Sequence, residues 1–187
     1  MEKVKSGKHI RALTEASVLV AIAFALSYVR LQFAWLQGGS ITPASMLFIL
    51  VIGIRRGPAW GLGGALIFAC LKMMQGFYPP PTETLTYFIL VVVLDYVLAF
   101  GVLGLSGFFS RIKNGFYFAL PICIMLRFLC HFIAGIIIWS VYAPDGTPVW
   151  IYSLTYNGSY IGVELVICII AAIAIAGYNK TIFTRKD

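Results

Sequence analysis

A few polar side chains interrupt the long apolar stretches of this chain, and they are the residues whose types could do chemistry. Asp95 lies near the centre of one stretch, and Asn157 opens the last one. Arg127 and His131 are four residues apart, a spacing that places both side chains on one face of a helix. Trp139 follows His131 by two helical turns. Ionisable groups inside a bilayer are costly and mark functional sites, so we expect these side chains to converge.

The chemistry that these residue types support is recognition. No recognised catalytic string is present, and His9 and His131 alone cannot build a typical metal site. Aromatic faces stack on planar rings and attract organic cations, and a buried carboxylate balances a positive charge. The pattern therefore favours a flat, nitrogen-containing, cationic solute. A purely structural ion pair between Asp95 and Arg127 is the alternative. Glu15 is expected to be a helix-terminal charge, and Glu164 receives no role.

The elements that must position these side chains are membrane spans. Of 187 residues, 60% are hydrophobic and 11% are charged, and the mean hydropathy is +0.92. A soluble domain of this size could not bury so much apolar surface. Six spans would use roughly 120 residues, which leaves no room for an ATPase or another soluble domain. We therefore predict one all-α domain over residues 1–187, a compact bundle with spans near 10–29, 42–54, 59–76, 85–109, 116–139 and 158–178.

The basic residues orient this bundle. Eleven of the 14 lie near the two termini or between spans two and three or four and five, all on one side. Only Arg30, Lys72 and Arg127 depart from this distribution. The positive-inside rule then places both termini in the cytoplasm. The net charge of +7 is explained by topology, so a nucleic-acid partner is not expected.

The loops predicted on the opposite side are rich in aromatic residues. They include Trp35, the segment Phe77–Pro81, and a long loop at about 140–157. Such residues form either an interfacial belt or a lid over a small-molecule pocket.

Span one carries a stripe of small residues, formed by Ser17, Ala21 and Ala25. This stripe serves either internal packing or the docking of a partner helix.

Several of these runs resemble one family. His131-Phe-Ile-Ala-Gly-Ile-Ile-Ile-Trp139 and Tyr152-Ser-Leu-Thr-Tyr-Asn157-Gly are similar to the thiamine-specific S-component of energy-coupling factor transporters. Gly38-Gly-Ser-Ile-Thr42, Arg55-Arg-Gly57 and Leu94-Asp-Tyr-Val97 fit the same family in the same order. The resemblance implies a six-helix bundle that binds the vitamin from outside. It also implies partners, a transmembrane T-component and two cytoplasmic ATPases, which supply the energy source that this chain has no room for.

The resemblance also implies a binding site. Asp95 would face the charge and the ring nitrogens of thiamine, where the family is expected to have a glutamate. Arg127 stands where a lysine is expected, and Phe68 where a tryptophan is frequent. Ser17, Ala21 and Ala25 would match the family's motif for docking the T-component. The thiamine-binding positions carried over are Trp35, Phe68, Tyr78, Asp95, Tyr96, Arg127, His131, Trp139, Tyr152 and Asn157.

The sequence thus predicts a thiamine-capture subunit in the cytoplasmic membrane of a prokaryote, and not an enzyme. No cofactor or metal is expected in this chain, because ATP would be used by the partner subunits. Two alternatives stay open: an S-component for another vitamin or a thiamine precursor, and a membrane enzyme that uses Asp95, Arg127 and His131. A stand-alone secondary transporter is disfavoured because no convincing internal repeat is found.

Overall fold

The computed structural model describes residues 2–31 and 40–186, and it is built from helices. Among these residues the one non-helical pairing is an isolated bridge between Leu31 and Ile41, whose backbones exchange two hydrogen bonds of 2.9 and 3.1 Å. Two short 3-10 turns lie at Ser140–Tyr142 and Lys180–Phe183. The six main helices are α1 (Glu2–Leu26), α2 (Ser45–Arg56), α3 (Pro58–Gln75), α4 (Leu85–Phe109), α5 (Gly115–Ile137) and α6 (Val149–Tyr178).

Four of these helices are long and apolar enough to cross a bilayer. They are α4, α5, α6 and the segment Gly7–Leu26 of α1. The 12-residue α2 is too short for a full crossing, and nearly all of it is buried inside the bundle. Its backbone groups are therefore shielded by protein, as irregular or short elements at membrane depth require. The structure confirms the predicted all-α membrane fold.

Glycines allow α2, α3 and α4 to pack with their backbones in contact. A β-carbon on Gly61 would lie 2.5 Å from the carbonyl oxygen of Gly104, and one on Gly104 would lie 2.6 Å from the Gly61 backbone. A β-carbon on Gly53 would lie 2.2 Å from the hydroxyl oxygen of Ser106. Ser106 in turn donates a hydrogen bond of 2.9 Å to the carbonyl of Leu50. Small residues thus bring these helices together, as is typical of membrane bundles.

A charged cluster closes the end of the bundle that holds both termini. Glu15 forms ion pairs with Arg55 and Arg56, at the end of α2. Arg55 also donates to the carbonyl of Thr181 at 2.9 Å, which fastens the C-terminal segment. Glu15 lies inside α1, so the expectation of a helix-terminal charge was wrong. The two arginines, 40 and 41 residues away in sequence, supply the positive charge that compensates the Glu15 carboxylate.

One helix boundary differs clearly from the sequence prediction. The final helix begins at Val149 rather than near 158, so the expected loop at 140–157 is helical over its second half. Pro148 precedes the first turn, a position that suits proline. Serine, threonine, tyrosine and asparagine in the first turns lower the local hydropathy, which is why hydropathy placed the start too late. At 1.5 Å per residue, α6 is about 45 Å long and extends past the hydrocarbon core.

Candidate functional site

A cavity of about 410 Å³ opens at the end of the bundle opposite the terminal cluster. Its volume is within the range of small-molecule sites. Nine of the ten predicted binding residues line it, drawn from α3, α4, α5, α6 and the segments between them. Trp35, the tenth, lies outside the described residues. The nine are Phe68, Tyr78, Asp95, Tyr96, Arg127, His131, Trp139, Tyr152 and Asn157.

The Asp95 carboxylate is held by two ring N–H groups. Its Oδ2 accepts a hydrogen bond of 2.9 Å from Nε1 of Trp139, and its Oδ1 lies 2.8 Å from Nδ1 of His131. A carboxylate only accepts, so Nδ1 of His131 carries the hydrogen, and Nε2 of the neutral ring is then an acceptor. That Nε2 is buried and has no partner among the described residues. Both rings are thereby fixed in orientation at the cavity wall.

A wide turn of π-helix carries Asp95. The π-helical segment covers Val92–Leu98 within the otherwise α- and 3-10-helical α4. In a regular α-helix successive side chains diverge by about 100°, and the wider turn reduces this angle. Asp95 and its neighbour Tyr96 both line the cavity as a result. Such local widenings of a helix are frequent at functional sites.

Tyr96 fastens the segment that follows α3. Its hydroxyl donates to the carbonyl of Gly76 at 3.2 Å and accepts from the backbone N–H of Tyr78 at 3.2 Å. The Tyr78 ring then packs on Trp139, with 5.3 Å between ring centroids. A hydrogen bond with Tyr142 and partial burial raise the pKa of Tyr78, so its phenol stays neutral at physiological pH. Aromatic residues therefore form one wall of the cavity mouth.

Asn157 joins α5 to α6. Its amide nitrogen donates to the carbonyl oxygens of Ser153 at 2.9 Å and His131 at 3.2 Å, and its Oδ1 accepts from the Tyr160 hydroxyl at 2.9 Å. Gly135 makes this approach possible, because a β-carbon there would lie 2.1 Å from Oγ of Ser153. Asn157 lines the cavity, but its amide already holds together the helices that carry His131 and the tyrosines.

The tyrosines of α6 form a ladder along the cavity. Tyr152 stacks on Tyr156 with centroids 5.7 Å apart, and Tyr156 meets Tyr160 edge-on at 5.7 Å. Tyr160 also packs edge-on against the His131 ring at 6.3 Å. This ladder depends on the helical start at Val149, because the spacing of four residues places the three rings on one face. Tyr156 and Tyr160 were not among the predicted site residues.

Arg127 does not pair with Asp95. Its guanidinium carbon lies 4.1 Å from the centroid of the Phe100 ring, and the side chain is buried. Phe68, beneath it in the same cavity, packs edge-on against Phe100 at 5.2 Å. Nε and Nη1 of Arg127 are buried without a hydrogen-bond partner among the described residues. The alternative of a structural Asp95–Arg127 ion pair is therefore wrong.

Glu164 is a carboxylate whose role could not be predicted from sequence. Its Oε1 accepts hydrogen bonds of 2.7 Å from both the backbone N–H and the hydroxyl of Thr42, 122 residues away. The residue is 1% exposed and lines the cavity, and Oε2 has no partner among the described residues. A lone acidic residue within an apolar span was the signal that could have identified it.

The unpartnered polar atoms define what the cavity can do. His131 in its neutral form presents an acceptor, Arg127 presents donors and Glu164 presents an acceptor, while aromatic rings supply stacking surfaces. Buried polar groups normally have partners, so these atoms are available to hydrogen-bond with a bound molecule. No group of three or more potential metal-ligating side chains is found within residues 2–31 and 40–186. The arrangement suits non-covalent recognition of a planar molecule with both donors and acceptors.

The small-residue stripe lies on a different surface. Ser17, Ala21 and Ala25 are all exposed on α1, whereas Ala16 and Ala23 on its other side are buried. Of the two interpretations of this stripe, internal packing is therefore wrong for the described bundle. The stripe is available to another helix.

Comparisons with known proteins point to one family. A family model described as thiamine transporter protein matches residues 13–184. The thiamine transporter ThiT of Bacillus subtilis strain 168 is 32% identical over 183 residues, covering 89% of this chain and 91% of the relative. ThiT of Lacticaseibacillus paracasei is 27% identical over 96% of this chain and 94% of its own.

A solved structure of ThiT from Listeria monocytogenes has the same fold. The TM-score is 0.77 at 22% identity, and the match covers 95% of this chain and 99% of that one. The sequence match over nearly the whole length confirms the predicted transport class, and a transporter family is not a family of enzymes. The chain belongs to the thiamine transporter protein family.

Proposed function

We propose that this chain captures thiamine in the cavity and delivers it to a separate energising module. The observation that carries the proposal is the Asp95 carboxylate, fixed by His131 and Trp139 at the wall of an aromatic cavity of about 410 Å³. Thiamine joins an aminopyrimidine ring to a positively charged thiazolium ring. A fixed carboxylate balances that charge, and Tyr78, Trp139 and Tyr152 offer faces for the rings.

The remaining polar groups of the ligand find counterparts in the same cavity. The unpartnered Nε2 of His131 would accept from the amino group of the pyrimidine ring. Tyr96, Asn157 and Phe68 would shape the space around the rings, and Trp35 would close it from the first loop. Family membership and the match to ThiT from two other bacteria support thiamine rather than another vitamin.

The orientation is part of the proposal. With both termini in the cytoplasm, the cavity opens to the outside, where it would meet scarce vitamin. The positive-inside distribution supports this orientation, because the basic residues outside it are only Arg30, Lys72 and Arg127. The membrane would then be the cytoplasmic membrane of a prokaryote, with residues 1–187 acting as one six-helix domain.

The partner subunits are part of the proposal. A T-component would pack on the exposed stripe of Ser17, Ala21 and Ala25, and two ATPases would supply energy from the cytoplasm. No cofactor is assigned to this chain. It would bind thiamine without changing it chemically and would associate with the partner subunits.

The test is a thiamine titration of the purified chain in detergent, followed by tryptophan fluorescence. We expect saturable quenching at one thiamine per chain, because Trp139 lies at the cavity wall. Separate titrations with the pyrimidine and thiazole halves should give much weaker binding. The absence of thiamine binding would overturn the proposal, and equally tight binding of one half would favour a precursor instead. Reconstituted alone, the chain should not sustain uptake driven by ATP.

A further inference from the structure

The three basic residues that break the positive-inside distribution share one location. Arg30, Lys72 and Arg127 all line the cavity. A basic side chain within a membrane bundle is costly unless a partner or a ligand compensates its charge. One basic side chain, at position 127, is expected in the family's thiamine site, but the capture of a cation gives Lys72 and Arg30 no function. Their convergence therefore needs an explanation that the capture of a cation does not give.

The charges in the cavity do not balance for a cation. Among the described lining residues, three basic side chains face two carboxylates, Asp95 and Glu164, so a cavity with neutral His131 carries one net positive charge. A thiazolium ring would raise this to two. A phosphate monoester carries about −1.5 to −2 at pH 7, which would bring the occupied cavity close to neutrality.

Arg127 is placed to bind an anion. The residue is 8% exposed and its guanidinium is held over the Phe100 ring, so its orientation is fixed. Nε and Nη1 have no partner within the described part of the chain. Each of these free N–H groups can donate a charge-assisted hydrogen bond to a phosphate oxygen.

Lys72 supplies a second positive charge from α3. Its ammonium donates to Oε1 of Gln75, which also accepts from the Ser27 hydroxyl at 3.2 Å. One hydrogen bond leaves further donors on this ammonium. Arg30, Arg127 and Glu164 are all close enough to act electrostatically on Lys72. Lys72 and Arg127 therefore share one electrostatic environment, contributed by different helices.

We propose that Arg127 and Lys72, assisted by the exposed Arg30, form a subsite for a phosphate-class oxyanion within the thiamine cavity. The oxyanion is either the phosphoryl group of a phosphorylated thiamine or a free phosphate bound beside thiamine. The inference rests on the proposed function, since the organic part of the ligand occupies the site around Asp95.

The test compares thiamine and thiamine monophosphate on the same variants. Lys72→Gln should weaken thiamine monophosphate about tenfold or more, because it removes one attractive charge from a poorly screened site. The same change should leave thiamine binding equal or tighter, because it removes repulsion of the thiazolium. Glu164→Gln should do the reverse, while keeping an oxygen that accepts from Thr42. Lys113→Gln, at an exposed position far from the cavity, is the matched control.

A second arm separates the two sources of the oxyanion. Inorganic phosphate is added to the thiamine titration at constant ionic strength, with chloride as the balancing ion. A free phosphate in the subsite would tighten thiamine binding in the native chain and not in Lys72→Gln. An attached phosphoryl group would instead show only as the selective loss of thiamine monophosphate.

The outcomes separate this inference from the proposed function. Failure of the native chain to bind thiamine would overturn the proposed function. Normal thiamine binding would overturn the inference alone if Lys72→Gln changed the affinities for both ligands by one factor and phosphate had no effect on thiamine. A merely structural role of Lys72 would give that result, since a distorted cavity weakens both ligands together.

Discussion

The Asp95 carboxylate joins the His131 ring, which lies within α5, to the Trp139 ring, which lies just after the end of α5. Hydrogen bonds to His131 and Trp139 use both oxygens, so the carboxylate is fixed before any ligand arrives. This fixed orientation reduces the entropy that binding would otherwise cost. The residue thus has two functions: it balances the charge of the ligand, and it sets the positions of the rings on which the ligand stacks.

Replacing this carboxylate tests both functions. Asp95→Asn removes the charge and leaves one oxygen for two ring N–H donors. A hydrogen bond to a charged group contributes about 1.5–3 kcal/mol, so we expect thiamine affinity to fall about 10- to 100-fold. Tryptophan fluorescence titration measures the change. Asp145→Asn, an identical substitution at an exposed position, should have no effect. Unchanged affinity in Asp95→Asn would remove this residue from the binding site.

At the scale of single elements, the contact between α3 and α4 depends on two glycines. A β-carbon on Gly61 would meet the carbonyl oxygen of Gly104 at 2.5 Å, and backbone cannot move aside as a side chain can. Gly61→Ala should therefore lower the free energy of unfolding by about 1–3 kcal/mol. Gly63→Ala is the control on the same helix, because nothing lies within 4 Å of its added carbon. Thermal unfolding in detergent compares them, and equal midpoints would contradict the proposed contact.

The outer face of α1 gives a second prediction for an element. Ala21→Trp fills the exposed stripe without entering the core, so the isolated chain should bind thiamine normally. Uptake by cells that contain the energising module should be strongly reduced, because close helix approach requires small residues. Ile22→Trp, also exposed on the same helix but about 100° around it from Ala21, should retain uptake. Equal uptake by the two variants would show that the stripe is not the docking surface.

The elements also show which features could be predicted from sequence. The long apolar runs gave α4 and α5 nearly to the residue, because hydropathy decides membrane insertion. The start of α6 was missed, since its first turns face the cavity and are polar for that reason. Glu164 could not be assigned either. Its partner, Thr42, lies 122 residues away, and no local pattern encodes such a contact.

For the site, residue types predicted which side chains line the cavity but not which of these side chains contact one another. Asp95, Arg127 and His131 all line the cavity, as the cost of buried charge indicates. Spacing could not show that Asp95 pairs with His131 while Arg127 lies on Phe100. Those choices depend on the rotation of α4, including its π-helical turn. A hydrophobic pattern does not specify that turn.

At the scale of the whole molecule, the cavity is where the separate helices meet. Its lining comes from α2 to α6 and from the segment after α1. A ligand that contacts all of these walls favours the folded bundle over any state in which one helix has separated. Binding should therefore raise the stability of the entire chain rather than of one region.

This coupling gives the last prediction. A ligand that binds only the folded state stabilises it by about 4 kcal/mol at a thousand times its dissociation constant. Saturating thiamine should thus raise the thermal midpoint of the purified chain by several degrees. Asp95→Asn, with its 10- to 100-fold lower affinity, should lose about one- to two-thirds of this shift at the same thiamine concentration, whereas Asp145→Asn should keep it. A native chain whose midpoint did not respond to saturating thiamine would show that the ligand does not connect the helices around the cavity.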